Sequence, residues 1–367
     1  MALGEQRVKM LILPRYGRMG ASSRMRLYQY LPWLEAAGID VHVSPLFSDF
    51  YVQDLQRNSK NPLGIFRAYI ARIKTLLARK EFDLIWIEKE VLPWLPAWLE
   101  NVLLSGKVPY FLDYDDAVFH YYDLHGNPFV RLLLGRKHAS LISGAAMVVA
   151  GNKYLANFAQ QSGSVRLEVF PTVINLERYP LYLVGFTKKN PVPLRVGWIG
   201  QRSTAKFLMP YKSLFERLSA SGKVKFVAIG INASLFCLPM DSIPWTEENE
   251  VVSIAGLDIG IMPLADEPFE RGKCGYKLIQ YMACSLPVVA SPVGVNSQIV
   301  EHGVNGFLAD TPEEWDKYLK TLLLDTDLRI RMGRAGRRKV EQHYCIQKTG
   351  PILAKIILTS LNIAKKG

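Results

Sequence analysis

The chain has 367 residues, 49% hydrophobic and 21% charged, which is enough apolar material for a large core and excludes a disordered protein. Its four cysteines lack the spacing of a disulfide scaffold or a zinc motif, so we expect reduced thiols of a cytosolic protein. The formal charge of +12 is spread over both halves and favours anionic ligands, whereas nucleic-acid binding is not predicted because no zinc-finger or RNP-type motif is present.

Short apolar runs alternate with longer helical patterns in the first half of the chain. Strands are predicted at residues 8–13, 39–43, 83–87, 109–113 and 147–150. Helical spacing of apolar residues predicts helices over 23–37 and 61–80. This strand–helix–strand order is typical of a parallel sheet covered on both faces. The basic helix over 61–80 could dock on anionic lipid, but we expect its apolar side to pack on the sheet.

Residues 180–194 interrupt this pattern with three prolines, a glycine and two lysines, which indicates a linker. The pattern then restarts, with strands predicted at 194–200, 224–230, 259–263 and 287–291. Helices are predicted over 203–221, 274–285 and 350–363. We therefore expect an α/β protein with an N-terminal domain over 1–180, a linker over 181–194, a C-terminal domain over 195–349 and a last helical segment over 350–367.

The densest candidate site is the run Arg271-Gly272-Lys273-Cys274-Gly275, which stands between a predicted strand and a predicted helix. Glycines let a ligand approach the backbone closely, and the amides and positive dipole end of a helix N-terminus attract anions. Lys273 and Lys277 add full charges, and Lys277 would share a helix face with Gln280 and Tyr281. The alternative is an ordinary core helix with solvated lysines.

The following stretch, LIQYMACSLPVVASPVGVNSQIVEHGVNGFLA, closely resembles glycosyltransferase family 4, the retaining nucleotide-sugar transferases of GT-B fold. The resemblance covers both halves and implies two Rossmann-like domains facing across a cleft, with a terminal helix that often crosses back to the first domain. The family's paired glutamates fall on Gly272 and Gln280. The resemblance implies that Gln280 hydrogen-bonds a ribose hydroxyl and that Lys273 or Glu270 substitutes for the first glutamate.

A second candidate follows the first strand of the second half, in the run Gly200-Gln201-Arg202-Ser203-Thr204-Ala205-Lys206. It resembles the family's Gly-Arg…Lys element, whose two cations hold the donor diphosphate. An arginine offers a fork to phosphate oxygens and a lysine offers a point charge. Arg202 and Lys206 are four residues apart, so they are expected to share a helix face. For Ser203 and Thr204 the alternative is helix N-capping.

A third candidate is the run of residues 15–24, which contains Gly17 and Gly20 after the first strand. These glycines resemble the N-terminal flexible loop of GT-B transferases, which lies near the donor phosphate and the acceptor. The Gly-x-Gly-x-x-Gly spacing of a dinucleotide motif is absent. A surface loop with solvated arginines is the equally weighted alternative.

Acidic residues and a histidine follow another apolar strand, at residues 113–120. Two acids and a histidine at the carboxyl end of a strand suit proton transfer. The position resembles the family's His-Asp element, in which Asp116 matches the aspartate and Asp115 takes the place of the histidine, with His120 four residues later. A metal is not predicted, because the family generally works without one. The alternative is N-capping by Asp115 or Asp116 with His120 on the surface.

Two further clusters receive weaker interpretations. Glu88-Lys89-Glu90 ends a strand and is expected to be a solvated turn, with contact to acceptor hydroxyls as the alternative. Trp245, followed by Glu247, Glu248 and Glu250, lies in a region that resembles the base-binding side of the family's donor site.

We therefore predict a retaining glycosyltransferase without metal or cofactor, which moves a sugar from a nucleoside-diphosphate donor to a glycan, lipid-linked or small-molecule hydroxyl. Arg202, Lys206, Lys273, Lys277 and the amides near Gly275 would stabilise the leaving diphosphate. The alternatives are a catalytically silent binding or scaffold protein and an epimerase that uses Asp115 and Asp116. No apolar run approaches a membrane span and the N-terminus lacks a signal-peptide layout, so we expect a cytoplasmic protein, free or peripheral at the inner membrane face.

Overall fold

The computed structural model describes residues 7–56, 61–181 and 193–364. The chain divides into two α/β units: unit 1 comprises Met1–Thr172 with Ile346–Gly367, and unit 2 comprises Val173–Cys345. Each unit is built on one parallel six-stranded sheet, which confirms the predicted fold class. Most of the predicted linker over 181–194 lies outside the described residues.

The unit 1 sheet has the strand order β2-β1-β3-β4-β5-β6, with every neighbouring pair parallel. Its strands are β1 (Val8–Leu13), β2 (Ile39–Val43), β3 (Leu84–Glu88), β4 (Tyr110–Tyr114), β5 (Met147–Ala150) and β6 (Leu167–Val169). The strands β3, β4 and β5 are buried along their whole length, which is why they are continuous apolar runs rather than alternating ones. The order reverses between β1 and β3, and ligands of open α/β sheets bind beyond the carboxyl ends at such a point.

The helices of unit 1 before its last segment are shorter than predicted. They are α1 (Ala21–Arg26), α2 (Leu31–Ala36), α3 (Asp49–Gln56), α4 (Pro62–Leu77), α5 (Ala97–Leu104), α6 (His120–Asp123), α7 (Pro128–Leu134), α8 (Lys137–Gly144) and α9 (Lys153–Gln161). The single helix expected over 23–37 is wrong: a 3-10 turn at Tyr28–Tyr30 divides it, and Pro32 stands in the first turn of α2, where its missing amide costs no helical bond.

The unit 2 sheet has the order β12-β11-β10-β7-β8-β9 and is also parallel throughout. Its strands are β7 (Leu194–Ile199), β8 (Val224–Ile229), β9 (Asp241–Ile243), β10 (Ile259–Met262), β11 (Val288–Ala290) and β12 (Gly306–Leu308). The order reverses between β7 and β10. The segments that follow these two strands, which carry the candidate cations, therefore lie at the usual ligand position of such a sheet.

The helices of unit 2 correct one expectation about the segment after β7. They are α10 (Lys212–Ser219), α11 (Glu250–Ala255), α12 (Pro268–Arg271), α13 (Tyr276–Ala283), α14 (Asn296–Ile299), α15 (Pro312–Leu324) and α16 (Thr326–His343). A single α-helix over 203–221 is wrong, because Arg202–Tyr211 is a 3-10 helix that contains Pro210. Proline lacks the amide that an α-helix interior needs, so α10 begins only after it.

The last helix, α17 (Ile346–Ala364), belongs to unit 1 and packs on α2. The Tyr30 hydroxyl lies 3.3 Å from the Thr349 hydroxyl. Gly350 lies against the Trp33 indole so closely that a Cβ there would be 2.5 Å from Cγ. Among the residues that the structure describes, no helix combines the length and apolarity needed to cross a membrane.

Candidate donor site in unit 2 and polar cluster in unit 1

The N-terminus of α13 is shaped by a glycine. Gly275 holds the N-cap position with φ +64°, and no side chain caps the helix there. A Cβ at this position would lie 2.3 Å from Cδ1 of Ile299, so only glycine fits without a shift. The start of the helix therefore keeps its positive dipole end without an acidic cap, which suits an anionic ligand.

Lys277, in the first turn of α13, is the most unusual cation of unit 2. Its Nζ lies 4.3 Å from the centroid of the Trp198 ring, and a Cβ at Gly200 would lie 2.8 Å from Nζ. Burial and the nearby charge of Lys273 lower the pKa of Lys277 to about 7. Within the described ranges, Lys277 forms no ion pair with a carboxylate. The Lys277 amino group is therefore shielded from water, with no carboxylate paired to it among the described residues.

Lys273, Lys206 and Glu270 form a second charged group next to Lys277. Burial raises the pKa of Glu270, and the charges of Lys273 and Lys206 oppose that rise. Each lysine also lies over an aromatic ring, Lys273 at 4.8 Å from Phe269 and Lys206 at 4.8 Å from Phe207. Of the four predicted cations, Lys206 and Lys273 thus interact electrostatically with Glu270, and Lys273 also interacts with Lys277.

Arg202 does not share a helix face with Lys206, which corrects the prediction from their spacing. A 3-10 helix has three residues per turn, so residues four apart point roughly 120° from each other. Capping by Ser203 or Thr204 is wrong as well. Gln201 holds the N-cap position, and the Thr204 hydroxyl donates to the Gln201 carbonyl at 3.0 Å.

Gln280 is buried rather than presented beside Lys277. Its Nε2 donates to the Tyr179 hydroxyl at 3.4 Å, which in turn donates to Oε1 of Glu250 at 3.5 Å. Tyr281 is buried too, so the face of α13 that carries Lys277, Gln280 and Tyr281 at helical spacing packs inward. The side chain of Cys274 is also buried. Tyr179 escaped sequence analysis because it lies 101 positions from Gln280 and belongs to no local pattern.

Trp245 completes the unit 2 site on the far side of the strand ends. Its Nε1 donates to Oε2 of the buried Glu250 at 2.8 Å, which fixes the indole. A Cβ at Gly230 would lie 2.5 Å from the Gly200 carbonyl oxygen and 3.6 Å from Cβ of Trp245. At the ends of β7 and β8 the backbones of Gly200 and Gly230 therefore lie close together, and we call these two residues the glycine floor. Trp245, after β9, lies beside Gly230, and Lys277 lies beside Gly200.

Asp115 in unit 1 is held in a buried ion pair. Its Oδ1 lies 2.8 Å from Nζ of Lys89, and its Oδ2 accepts from the Ser22 hydroxyl at 2.6 Å. The Lys89 ammonium lowers the pKa of Asp115, although burial opposes this. Lys89 itself adopts φ +63°, which is uncommon for a residue with a side chain. The cluster therefore keeps an ionised carboxylate at the carboxyl ends of β3 and β4.

The run Glu88-Lys89-Glu90 is not the solvated turn that we predicted, since all three side chains are buried. Glu88 accepts from the Ser23 hydroxyl at 2.5 Å and from the Arg15 amide at 2.8 Å. Glu90 lies 2.7 Å from Nζ of Lys137. Burial is possible because each charge meets a partner supplied by a distant segment.

His120 has a partner on each ring nitrogen. Its Nδ1 lies 2.8 Å from Oδ1 of Asp123 and its Nε2 lies 2.8 Å from the Tyr154 hydroxyl. Helix α6 begins at His120 with Phe119 at the N-cap position, so N-capping by the two preceding acids is wrong. Asp116 is half-buried and close enough to Lys89 for its charge to raise the pKa of that lysine. Asp116 therefore lies beside the buried ion pair and is only partly buried.

The glycines of the loop over residues 15–24 are required by close packing. A Cβ at Gly17 would lie 2.3 Å from Oδ1 of Asp49, and one at Gly20 would lie 2.4 Å from Cβ of Tyr16. The same Asp49 oxygen accepts from the Met19 amide at 2.8 Å. Arg24 is buried, so the alternative of a loop with solvated arginines is wrong for that residue. No group of three or more potential metal ligands occurs in the part of the chain that the structure describes.

Part of the second unit is similar to a known protein family. Residues 243–339 match the family model of glycosyl transferases group 1. Over these residues unit 2 is similar to that family. The predicted family resemblance is thereby confirmed, and the matched segment contains Trp245, Glu250, Glu270, Lys273 and Lys277.

The curated relatives of this chain match it over part of its length. D-inositol 3-phosphate glycosyltransferase of Corynebacterium jeikeium (strain K411) is 38% identical over 122 residues, which cover 33% of this chain and 24% of that protein. The chain spans between 21% and 24% of the length of the curated relatives it matches.

Solved structures match nearly the whole chain. Sucrose-phosphate synthase from Thermosynechococcus elongatus has a TM-score of 0.71 at 13% identity, covering 96% of this chain and 99% of that one. Anabaena HepE in complex with UDP-glucose has a TM-score of 0.68 at 18% identity, with 96% and 99% covered. These likenesses confirm the predicted GT-B fold.

Proposed function

We propose that this chain transfers a sugar from a nucleoside-diphosphate donor to a hydroxyl acceptor, with retention of configuration and without a metal. The observation that carries the proposal is the Lys277 ammonium, which is desolvated at the start of α13 and lacks a carboxylate partner within the described ranges. The match of residues 243–339 to the family model of glycosyl transferases group 1 supports it, as does the UDP-glucose complex of the similar HepE structure.

The diphosphate would lie at the N-terminus of α13, against Lys277 and next to Lys273 and Lys206. Charge grows on the diphosphate as the bond to the sugar breaks. Cations and amide dipoles that are already in place stabilise this charge without reorganising, and their effect is larger where water is excluded. The Trp198 ring lies against the Lys277 amino group, and burial of this group lowers its pKa.

The nucleoside would extend from Lys277 towards Trp245, across the glycine floor at the ends of β7 and β8. The Gly200 and Gly230 backbones approach each other closely there and carry no side chains of their own. The indole is held in place by Glu250 and offers its face to a base, an interaction worth about 1–3 kcal/mol.

The acceptor would bind to unit 1 near Asp116, and the acceptor classes we propose are glycans and lipid-linked saccharides. No general base from unit 2 is needed in this proposal. In front-face attack the departing phosphate oxygen accepts the proton of the attacking hydroxyl, the new glycosidic bond forms, and the bond to the diphosphate breaks. The replacement of the family's paired glutamates by Gly272 and Gln280 is compatible with this route.

The test is a thermal-shift and calorimetric titration with UDP, GDP, ADP, CDP and TDP, each in EDTA and then with Mg²⁺. We expect one nucleoside diphosphate to bind equally well in both conditions. At about 100 times its Kd it would add about 2.7 kcal/mol to the unfolding free energy. The sugar nucleotides of that base would then be incubated with glycan and lipid-linked acceptors, with release of the diphosphate as the readout.

A catalytically silent nucleotide-sugar binding protein is the second candidate, and the burial of Gln280 against Tyr179 favours it. It predicts tight binding of one nucleoside diphosphate and no release of it from any sugar nucleotide. Absence of binding by all five would contradict both functions.

Trp245→Ala is expected to weaken binding of the preferred nucleoside diphosphate about 10-fold or more, because the base loses its stacking surface. Inorganic pyrophosphate, which has no base, should bind both proteins equally. Trp98→Ala, an exposed tryptophan of unit 1, is the control and should leave both affinities unchanged. Equal loss for pyrophosphate would show that the substitution damages the site as a whole.

A further inference from the structure

The segment that follows β3 has an unusual backbone. Lys89 has φ +63° and Trp94 has φ +62°, so two residues with side chains adopt the left-handed conformation in the short segment 89–94. Glycine is the usual residue in this conformation, because a Cβ makes it strained. Strain of this kind is typical of ligand sites, where the surrounding structure holds the residue in place. Lys89 belongs to the buried ion pair with Asp115, but the conformation of Trp94 needs a separate explanation.

Buried side chains hold the backbone of Trp94 in this conformation. Its amide donates to the Tyr122 hydroxyl at 3.0 Å, and that hydroxyl donates to Oε2 of Glu90 at 2.9 Å. Glu90 in turn lies 2.7 Å from Nζ of Lys137, which donates to the Leu92 carbonyl at 2.7 Å. The side chains of Tyr122, Glu90 and Lys137 are all buried. A buried chain of hydrogen bonds, rather than burial of the indole, therefore maintains the strained backbone.

The Trp94 indole itself remains 51% exposed. The Tyr122 and His125 rings lie against it at centroid distances of 5.1 and 5.9 Å, each with an interplanar angle of 81°. These T-shaped contacts restrict the orientation of the indole while half of its surface stays in water. A large ring held in this way is preorganised for stacking, since little conformational entropy is lost when a ligand covers it.

Tyr121 provides a second exposed ring near the charged groups of the same sheet edge. Trp94 follows β3 and Tyr121 follows β4, and these two strands are parallel neighbours. The Tyr121 side chain is 48% exposed. Burial raises the pKa of Tyr121, and the charge of Asp116 raises it further. The charges of Lys89 and Arg15 oppose that rise, so Tyr121 lies within electrostatic range of Asp116 and of both cations.

Two exposed aromatic rings near a partly exposed carboxylate suit one class of ligand. The C–H groups of a pyranose ring form an apolar face that packs on an aromatic ring, while the hydroxyls at its edge donate to carboxylates. A lipid acyl chain offers no hydrogen bond to Asp116. A free phosphate is repelled by that carboxylate and has no apolar face for the rings. A saccharide matches both parts of this surface.

We propose that Trp94 and Tyr121 form a stacking site for a saccharide ring on unit 1, with Asp116 accepting hydrogen bonds from the saccharide hydroxyls. This inference rests on the proposed function, because the saccharide would be the acceptor of the transferred sugar. It narrows the acceptor to a molecule that presents an apolar pyranose face at Trp94. Trp94 is then a specificity-determining residue, which selects acceptors by the shape of that face.

The experiment is saturation-transfer NMR on the full chain without a donor, using the methyl glycosides of glucose, galactose, mannose and N-acetylglucosamine as probes. We expect at least one glycoside to receive saturation, most strongly at the C–H protons of one ring face. Trp94→Gly should weaken its binding about tenfold, because the stacking surface is lost, whereas Trp94→Phe should retain most of it. Glycine adopts a positive φ without strain, so Trp94→Gly should melt no lower than the unaltered protein.

The matched control is Trp98→Ala, which removes another exposed tryptophan of unit 1 and should bind the glycoside like the unaltered chain. Absence of saturation for all four glycosides, or equal binding by Trp94→Gly and the unaltered chain, overturns the proposal. Nucleoside-diphosphate affinity, measured on the same samples, tests the proposed function separately. Glycoside binding that depends on Trp94, without binding of any nucleoside diphosphate, supports the saccharide site and contradicts the proposed transfer. The reverse result contradicts the saccharide site alone.

Discussion

Lys277→Met is expected to lower kcat/KM for sugar transfer by about 10²–10³-fold, the loss that follows removal of one preorganised donor from a developing anion. Methionine keeps the length and apolar character of the stem that lies along Trp198. Only the charge is removed, so binding of the free nucleoside diphosphate should fall too. Steady-state kinetics and calorimetry on the preferred donor measure both effects.

The control for this substitution is Lys320→Met. Lys320 is exposed on α15 and forms a surface pair with Asp316 at 2.7 Å. Surface pairs contribute about 0–1 kcal/mol, so neither stability nor donor binding should change noticeably. Equal activity of Lys277→Met and Lys320→Met would show that Lys277 does not contribute to the donor site.

The pH dependence of the stability of Lys277→Met shows whether the substitution only removes a charge or also damages the fold. The pKa of Lys277 is about 7 in the folded chain and near 10.5 when the chain is unfolded, so the unfolded chain binds more protons between these values. Stability of the unaltered protein should therefore rise with pH across this window, and the cost of the buried charge is fully present below pH 7. At pH 6 the variant should melt at a higher temperature than the unaltered protein, and the difference should shrink towards pH 10.

Donor binding should itself take up a proton. Above pH 7 much of Lys277 is deprotonated in the free protein, and a bound diphosphate favours the charged form. Calorimetry at pH 8 in buffers of different ionisation enthalpy should show proton uptake by the unaltered protein. Lys277→Met should show none.

The sheets could be predicted where their strands are apolar and buried. Strands β1 and β5 have the predicted bounds because a buried parallel strand is a largely apolar run. The edge strand β2 has them because its apolar residues alternate with polar ones. Strands β6, β9 and β12 have three residues each, and the LEV and DSI runs of β6 and β9 are no more apolar than loops. These three strands form through hydrogen bonding with a neighbouring strand, and no local sequence pattern indicates that pairing.

The candidate site could be predicted where its residues are close together in sequence. Gly275 and Lys277 follow from a glycine before a helix with a lysine in its first turn. The Lys89–Asp115 pair and the contact between Gln280 and Tyr179 join distant segments, so no spacing indicates them. Buried cations such as Arg72 were missed for a related reason: a charged residue in a helical pattern is normally assigned to the solvent side.

Arg26→Met should destabilise unit 1 by about 3–5 kcal/mol, the cost of leaving a buried charge without its partner. Arg26 and Asp113 are 2% and 1% exposed. The guanidinium makes a two-point contact with the carboxylate, at 2.7 and 3.0 Å, and donates to the Phe170 carbonyl at 2.8 Å. Urea denaturation followed by tryptophan fluorescence measures the loss.

Arg166→Met is the matched control within unit 1. Its guanidinium lies 3.3 Å from Glu168, and both side chains are partly exposed. Solvent screens such a pair, so we expect a change of at most about 1 kcal/mol. A loss for Arg26→Met no larger than for Arg166→Met would show that the buried pair adds no stability of its own.

The pH dependence of the destabilisation by Arg26→Met tests whether the unpaired Asp113 carboxylate causes it. Burial raises the pKa of Asp113 to about 6 even though Arg26 opposes the rise, and removal of Arg26 should raise it further. The folded variant then binds a proton that the unfolded chain releases near pH 4, so its stability falls as pH rises through this interval. The destabilisation by Arg26→Met should be smaller at pH 5 than at pH 8. Asp113→Asn in the same background should recover part of it at pH 8, because the neutral amide leaves no charge to bury.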